Sequence, residues 1–359
     1  MFMSHSSANA RRIQRQRNQV KGALFEIIVR RLLVKAGYIP IQPDGVSIRK
    51  SDGHVRGRGY WHDIDALGRF AYPLLYMYPI RLLAEAKCYD KNVPLPKVRN
   101  FVGALKDISE NYFVEDKMSR EEMLAYRRYT DCGSFFSASG FTIGAQKFAL
   151  AQGVFLISYE NNPILQKITD SMYRLIALLN LAVASKEKAA FRRWISDKLK
   201  QPLQRTSRNR FVHAQSLDNF VNVFSQLHHD LNSVQTSVVA MVVGSNPAIQ
   251  YPIHMLSNER IPEEIFSEKD DHLFRVYFTE TPRGLFFRVI PVETHRPVNL
   301  LFTIPKQIYA RYFAERKMLR FKEKFFDHIE LPTTIRGVRR ILRLNLDRGW
   351  IKRQQMSRS

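Results

Sequence analysis

Apolar residues recur at helical spacing from about Ile13 to Ala36, through Val20, Leu24, Ile27, Ile28 and Leu32, with Lys35 in the last turn and Gly37 where a left-handed cap would sit. One long helix is predicted there. The period then changes: Tyr38 to Ile48, Tyr60 to Phe70 and Pro79 to Tyr89 read as strands separated by Asp44-Gly45, Asp52-Gly53 and Pro73, which gives a three-strand meander. Helical spacing returns over Lys97 to Phe113, and a polar helix is expected around Arg120 to Tyr129. A short strand at Ser134 to Ser139, a helix over Thr142 to Gln152 and an apolar strand at Val154 to Tyr159 imply parallel pairing through helical crossovers.

Residues 163 to 195 look helical, and the stretch Lys198 to Arg210 then turns charged and polar around Pro202. The organisation expected is an α/β first domain over 1-195, a linker over 196-210 and a basic, mixed α+β second domain over 211-359. Within the second domain a helix is predicted from Leu217 to Leu231, followed by strands at Ser237 to Val243, Leu273 to Glu280 and Leu285 to Val292. The last two are joined by Thr281-Pro282-Arg283-Gly284 as a hairpin, and a helix is expected around Gly337 to Asp347.

Charge changes the picture. The chain of 359 residues carries 56 Lys and Arg against 33 Asp and Glu, a formal +23, and such a field attracts polyanions, nucleic acid first among them. With 45% apolar residues there is enough to bury a core, and two cysteines, Cys88 and Cys132, cannot build a disulfide framework or a four-thiolate zinc site. Arg11, Arg12, Arg15 and Arg17 are not followed by an apolar run of signal-peptide length, and Leu175 to Ala184 is too short to cross a bilayer, so a cytoplasmic protein without a membrane partner is expected.

Two strands then carry charges that a buried sheet does not need. In Trp61-His62-Asp63-Ile64-Asp65-Ala66-Leu67, strand alternation would put Asp63 and Asp65 on one face and Ile64 on the other. In Leu82-Leu83-Ala84-Glu85-Ala86-Lys87 it puts Glu85 and Lys87 together. Burying an acid and an amine costs several kcal/mol unless they are paired or hold a metal. If the strands are neighbours, Asp65 and Glu85, with the Ala86 carbonyl between them, offer the oxygen ligands of a magnesium site, with Lys87 one step away to steady water or developing phosphate charge.

An acid on one strand followed by Glu-X-Lys on the next resembles the restriction-endonuclease-like superfamily. Phe25-Glu26 in the first helix, Ile64-Asp65, and Phe141-Thr142 followed by Ala145 and Ala149 resemble its Mrr-like branch over about residues 20 to 160. Many Mrr-like members carry Gln where Glu85 stands, although the wider superfamily accepts Glu. The resemblance implies a restriction-endonuclease-like core (helix, three-strand meander, helix, strand, helix, strand) and adds Glu26 to Asp65, Glu85 and Lys87 as the helix acid of the site. It also implies a magnesium-dependent endodeoxyribonuclease, with manganese as substitute, in a prokaryotic restriction or defence setting. Two cuts on a duplex would favour a homodimer, and the second domain would recognise DNA or a protein partner. Beside this reading stand an inactive nucleic-acid-binding or assembly module and an RNA-directed nuclease of the same fold.

Arg56, Arg58, Lys97 and Arg99 are candidate phosphate contacts or ordinary solvated charges. His62 and Asp63 are secondary candidates, and His228-His229-Asp230 reads as a polar helix face. Phe274, Phe278, Phe286 and Phe287 read as core rather than a base-stacking platform.

Overall fold

The computed structural model describes residues 2–71, 78–111, 119–121, 128–200, 209–247, 249–261, 269–282, 284–292 and 298–357. Helix α1 (Phe2–Lys35) ends where Gly37 adopts φ 90°, the left-handed cap its sequence requires. The chain then lays down β1 (Tyr38–Pro40), a two-strand ribbon of β2 (Val55–Arg56) and β3 (Trp61–His62), β4 (Ala66–Phe70) and β5 (Ile80–Lys87). After α2 (Leu95–Ser109) come β6 (Thr130–Ser137), α3 (Ile143–Ala151) and β7 (Phe155–Ser158).

The sheet order is β1-β4-β5-β6-β7. β4 runs antiparallel to β1 and β5, and β5, β6 and β7 are parallel, as the crossovers require. The chain is thus of α/β class. One face of the sheet packs on α1, where Leu24, Phe25, Ile28 and Leu32 meet Leu82, Ala84 and Ala86. The other face is covered by α2 and α3, with Val98, Phe101 and Val102 set against Leu83 and Phe135. Gly133 lets α2 approach closely, since a Cβ there would stand 2.5 Å from Leu105 Cδ2.

Two sequence expectations are corrected in this region. The strand expected over Tyr38 to Ile48 stops at Pro40, because Asp44 accepts from the backbone of Val46, Ser47 and Ile48 and turns the chain instead. The strand expected over Tyr60 to Phe70 breaks into β3 and β4, with residues 63 to 65 outside either ladder. Asp63 and Asp65 therefore do not share a face: Asp63 is exposed and Asp65 buried. The helix expected to reach Phe113 ends at Ser109, where Glu110 caps it, and most of the polar helix expected around Arg120 to Tyr129 lies outside the described residues.

The region 163 to 195 holds three helices, α4 (Pro163–Ile176), α5 (Leu181–Lys186) and α6 (Lys188–Lys200), so α6 runs five residues into the stretch read as a linker. Next comes α7 (Leu217–Ser233), whose Phe220, Phe224, Leu227 and Leu231 join the same core as α1 and α4.

The remaining strands are β8 (Thr236–Val243), β9 (Gln250–Ser257), β10 (Asp271–Thr281), β11 (Gly284–Pro291), β12 (Leu300–Phe302), β13 (His328–Ile335) and β14 (Val338–Leu346). They close into a seven-strand barrel in the order β10-β11-β12-β9-β8-β13-β14. Three helices accompany it: α8 (Lys306–Ala314), α9 (Met318–Phe325) and α10 (Arg348–Met356). The helix expected at Gly337 to Asp347 is instead strand β14. Its Leu342, Leu344 and Leu346 alternate into the barrel, and Arg336 and Gly337, at φ 47° and 78°, form the tight turn from β13. Phe274 and Phe287 fill the barrel interior, while Phe278 and Phe286 are half-buried.

A buried polar relay joins barrel and sheet. Ser237 Oγ lies 2.8 Å from the Leu32 carbonyl and 2.8 Å from His254 Nε2, and His254 Nδ1 lies 2.7 Å from the Tyr159 hydroxyl. Tyr159 donates to Nδ1, Nε2–H donates to Ser237, and Ser237 donates to Leu32, so each polar atom is satisfied with a neutral imidazole. Burial depresses His254 to about 3.

Candidate functional site

The β4–β5 ladder places Ala66 opposite Ala84, so the residue before β4 arrives beside Glu85. Asp65 is pinned there: its Oδ2 accepts from the Ala86 N–H at 2.9 Å and from Lys87 Nζ at 2.8 Å. Lys87 Nζ also pairs with Glu85 Oε1. Asp65, Glu85 and Lys87 thus converge on a single point, with side chains 7%, 19% and 23% exposed. Ala86, expected to contribute a carbonyl, takes part through the N–H that fixes Asp65.

Glu26 stands behind this group on α1, buried and paired with Arg192 Nη2 from α6. Burial, then the negative charge of Asp65, push Glu26 up to about 7 against the pull of Arg192, Lys188 and Lys87. Burial, then Asp65, likewise push Glu85 up to about 7 against Lys87. Burial opposes the charge on Lys87, but Asp65 and Glu85 outweigh it and hold the ammonium above the ordinary lysine range. Carboxylates crowded until two of them resist ionisation are the setting a divalent cation relieves.

Among the described residues no group of three or more His, Cys, Asp or Glu stands in metal-holding geometry. Two carboxylate oxygens do converge, on the position now held by Lys87 Nζ, and magnesium uses one or two carboxylates and retains its waters. That donor set fits the ion, provided the ammonium yields the position.

The other candidates lie elsewhere. His62 Nε2 meets Asp107 Oδ2 at 2.7 Å, and Asp107 also accepts from the N–H of Gly59 and Tyr60, so this pair anchors the β2–β3 ribbon to α2. Arg58 faces Glu110 at 3.6 Å, while Arg56, Lys97 and Arg99 are exposed. Asp230 accepts from Ser171 and Gln226, and His228 contacts Asn232, which makes that tripeptide a polar helix face.

Arg192 was invisible to sequence reasoning, since it lies 166 positions from Glu26. Beside it a cleft of about 420 Å³ is lined by Arg30, Asp63, Ile64, Arg192 and Arg193. Arg30 Nε donates to the Asp65 carbonyl at 2.5 Å, tying the α1 rim of the cleft to the bend that carries Asp65.

No protein-family model matches the chain, and no curated protein does. A solved structure described as "Protein of Unknown Function AF1548" is similar at 14% identity over 59% of this chain and 98% of its own, with a TM-score of 0.29. Among the described residues no helix is long and apolar enough to cross a membrane.

Proposed function

We propose that the chain is a magnesium-dependent endonuclease that hydrolyses phosphodiester bonds in DNA, built on a restriction-endonuclease-like core. The observation that carries this reading is the convergence of the Asp65 and Glu85 carboxylates on the Lys87 ammonium where β4 and β5 meet. The order α1, meander, α2, β6, α3, β7 and the acid on α1 support it.

Asp65 and Glu85 would hold magnesium or manganese, and the ion would supply relief of negative charge on the phosphoryl oxygens. Asp65 is pre-set for that task by the Ala86 N–H, which spares it reorganisation as substrate binds. Lys87 keeps its proton and, released from the carboxylates, donates to the attacking water or to a phosphoryl oxygen. Glu26 completes the acidic set from the α1 side. The +23 charge suits a polyanionic substrate, the barrel is the natural candidate for recognising DNA or a protein partner, and paired cuts on a duplex call for a homodimer. A cytoplasmic restriction or defence role is the corresponding setting.

The test is incubation of supercoiled plasmid, with matched RNA in parallel, with wild type and Lys87→Ala under magnesium, manganese or EDTA. Nicking that needs metal and vanishes in the variant is expected. Equal products from both proteins would place the chemistry elsewhere, cleavage of RNA alone would change the substrate, and binding without cutting would leave an inactive module.

A further inference from the structure

Arg192 is an incompletely satisfied charged group near the site. Its guanidinium spends Nη2 on Glu26, while its Nε is buried with no hydrogen-bond partner. An arginine fork with an idle buried donor is costly, on the order of 1–3 kcal/mol, unless a ligand completes it. The same side chain lines the cleft shared with Arg30 and Arg193, beside the bend that carries Asp65. Arg30, Arg192 and Arg193 outnumber Asp52 and Asp63 in its lining, which leaves the cleft net positive, and a planar fork suits two oxygens of one phosphate better than it suits a single carboxylate contact.

Resting on the nuclease reading, we infer that Arg192 is the strand-holding residue of the site: a backbone phosphate of the DNA enters the cleft between α1 and α6, is gripped by the Arg192 fork, and displaces Glu26 from it. In the free protein Glu26 is a placeholder for that phosphate. Binding substrate would then release the Glu26 carboxylate toward Asp65, so that strand capture and completion of the acidic set are one event.

The test is fluorescence anisotropy of a labelled DNA duplex with the full chain in EDTA, where cutting is absent, across a salt series. Losing one phosphate contact predicts that Arg192→Gln binds about tenfold more weakly, with its logarithmic salt dependence shallower by about 0.9. Arg192→Lys, which keeps the charge without the fork, should keep the salt dependence but not the full affinity. Glu26→Gln should bind about threefold more tightly, the scale of one partly exposed ion pair, and the gain should vanish in the Glu26→Gln/Arg192→Gln double variant. A merely structural Arg192 would alter cutting and leave binding in EDTA unmoved.

Wild-type affinity and salt dependence in Arg192→Gln, alongside wild-type protein that still nicks plasmid, would overturn the inference and spare the nuclease. A Glu26→Gln gain that persists in the double variant would also overturn it. Wild type that neither binds nor cuts DNA would remove the nuclease reading, and the inference with it.

Discussion

Changing Glu85 to Gln should stabilise the protein at alkaline pH while abolishing its proposed chemistry. Burial and Asp65 hold Glu85 at about 7 instead of 4.5, even with Lys87 pulling the other way. A carboxyl raised on folding weighs against the fold only once it ionises: stability is full below its unfolded value of 4.5 and is lost as pH rises through about 7. At about 1.4 kcal/mol per tenfold change in proton affinity, that displacement amounts to at most about 3.5 kcal/mol. Gln mimics the protonated acid, and the attraction of Lys87 is already contained in the raised value, so the variant should recover most of that amount. Urea unfolding of both proteins should show little difference near about pH 4 and a gap of about 1–3 kcal/mol in favour of Gln near about pH 8.5. Magnesium should narrow the gap by stabilising the wild type alone. A variant less stable than wild type at alkaline pH, or a gap that does not grow with pH, would refute the assignment of Glu85 to a crowded acidic site.

The remaining expectations concern the scaffold. Arg81 and Asp131 form a bidentate pair at 2.6 and 2.7 Å, almost fully buried between β5 and β6; Arg81→Met should cost about 3–5 kcal/mol, read as a lower denaturation midpoint, because it strands a buried carboxylate. His254 lies at about 3 against 6.5 unfolded, so its neutral form is retained on folding and stability is lost as pH falls from about 6.5 toward 3. By about pH 4.5 the loss should reach about 3 kcal/mol. His254→Phe should be less stable at neutral pH, with Tyr159 unpaired, but should lose less than wild type between about pH 7 and 4.5. Parallel acid sensitivity in the two proteins would argue against a neutral buried relay.

How far the fold could be read from sequence depended on whether a segment's partners were local. The sheet of the first region was legible because its helix starts, turns and apolar runs are local signals: Thr142 caps α3, Asn162 caps α4, and Gly37 ends α1. The barrel was harder. In β14 the positions Val338, Ile341 and Leu342 fit a helical period as well as a strand; only closure of the barrel, which buries Leu342, Leu344 and Leu346 and leaves Val338 and Ile341 outside, decides between them. Strand β9 was hidden for a different reason. It carries Pro252 and His254, a strand breaker and a polar residue, and His254 becomes acceptable in the interior only through Tyr159 and Ser237.

The site divides along the same line. Glu85 and Lys87 could be placed together because two residues apart in a strand is a local rule, and Asp65 only on the condition that its strand lies next to theirs, which the β4–β5 ladder meets. Extending that rule to Asp63 failed, since the chain bends at 63 to 65 to bring Asp65 inward, and a bend that presents one acid must turn its neighbour out. The counter-charge to Glu26 obeys no local rule. It comes from α6, on which Phe191 and Ile195 pack into the α1 core while Arg192, between them in sequence, reaches Glu26. An acid buried early in a chain must find its cation among residues that the fold, not the spacing, delivers. Any buried carboxylate that sequence reasoning leaves without a partner is therefore a reason to search distant helices for an arginine whose own donors are incompletely used.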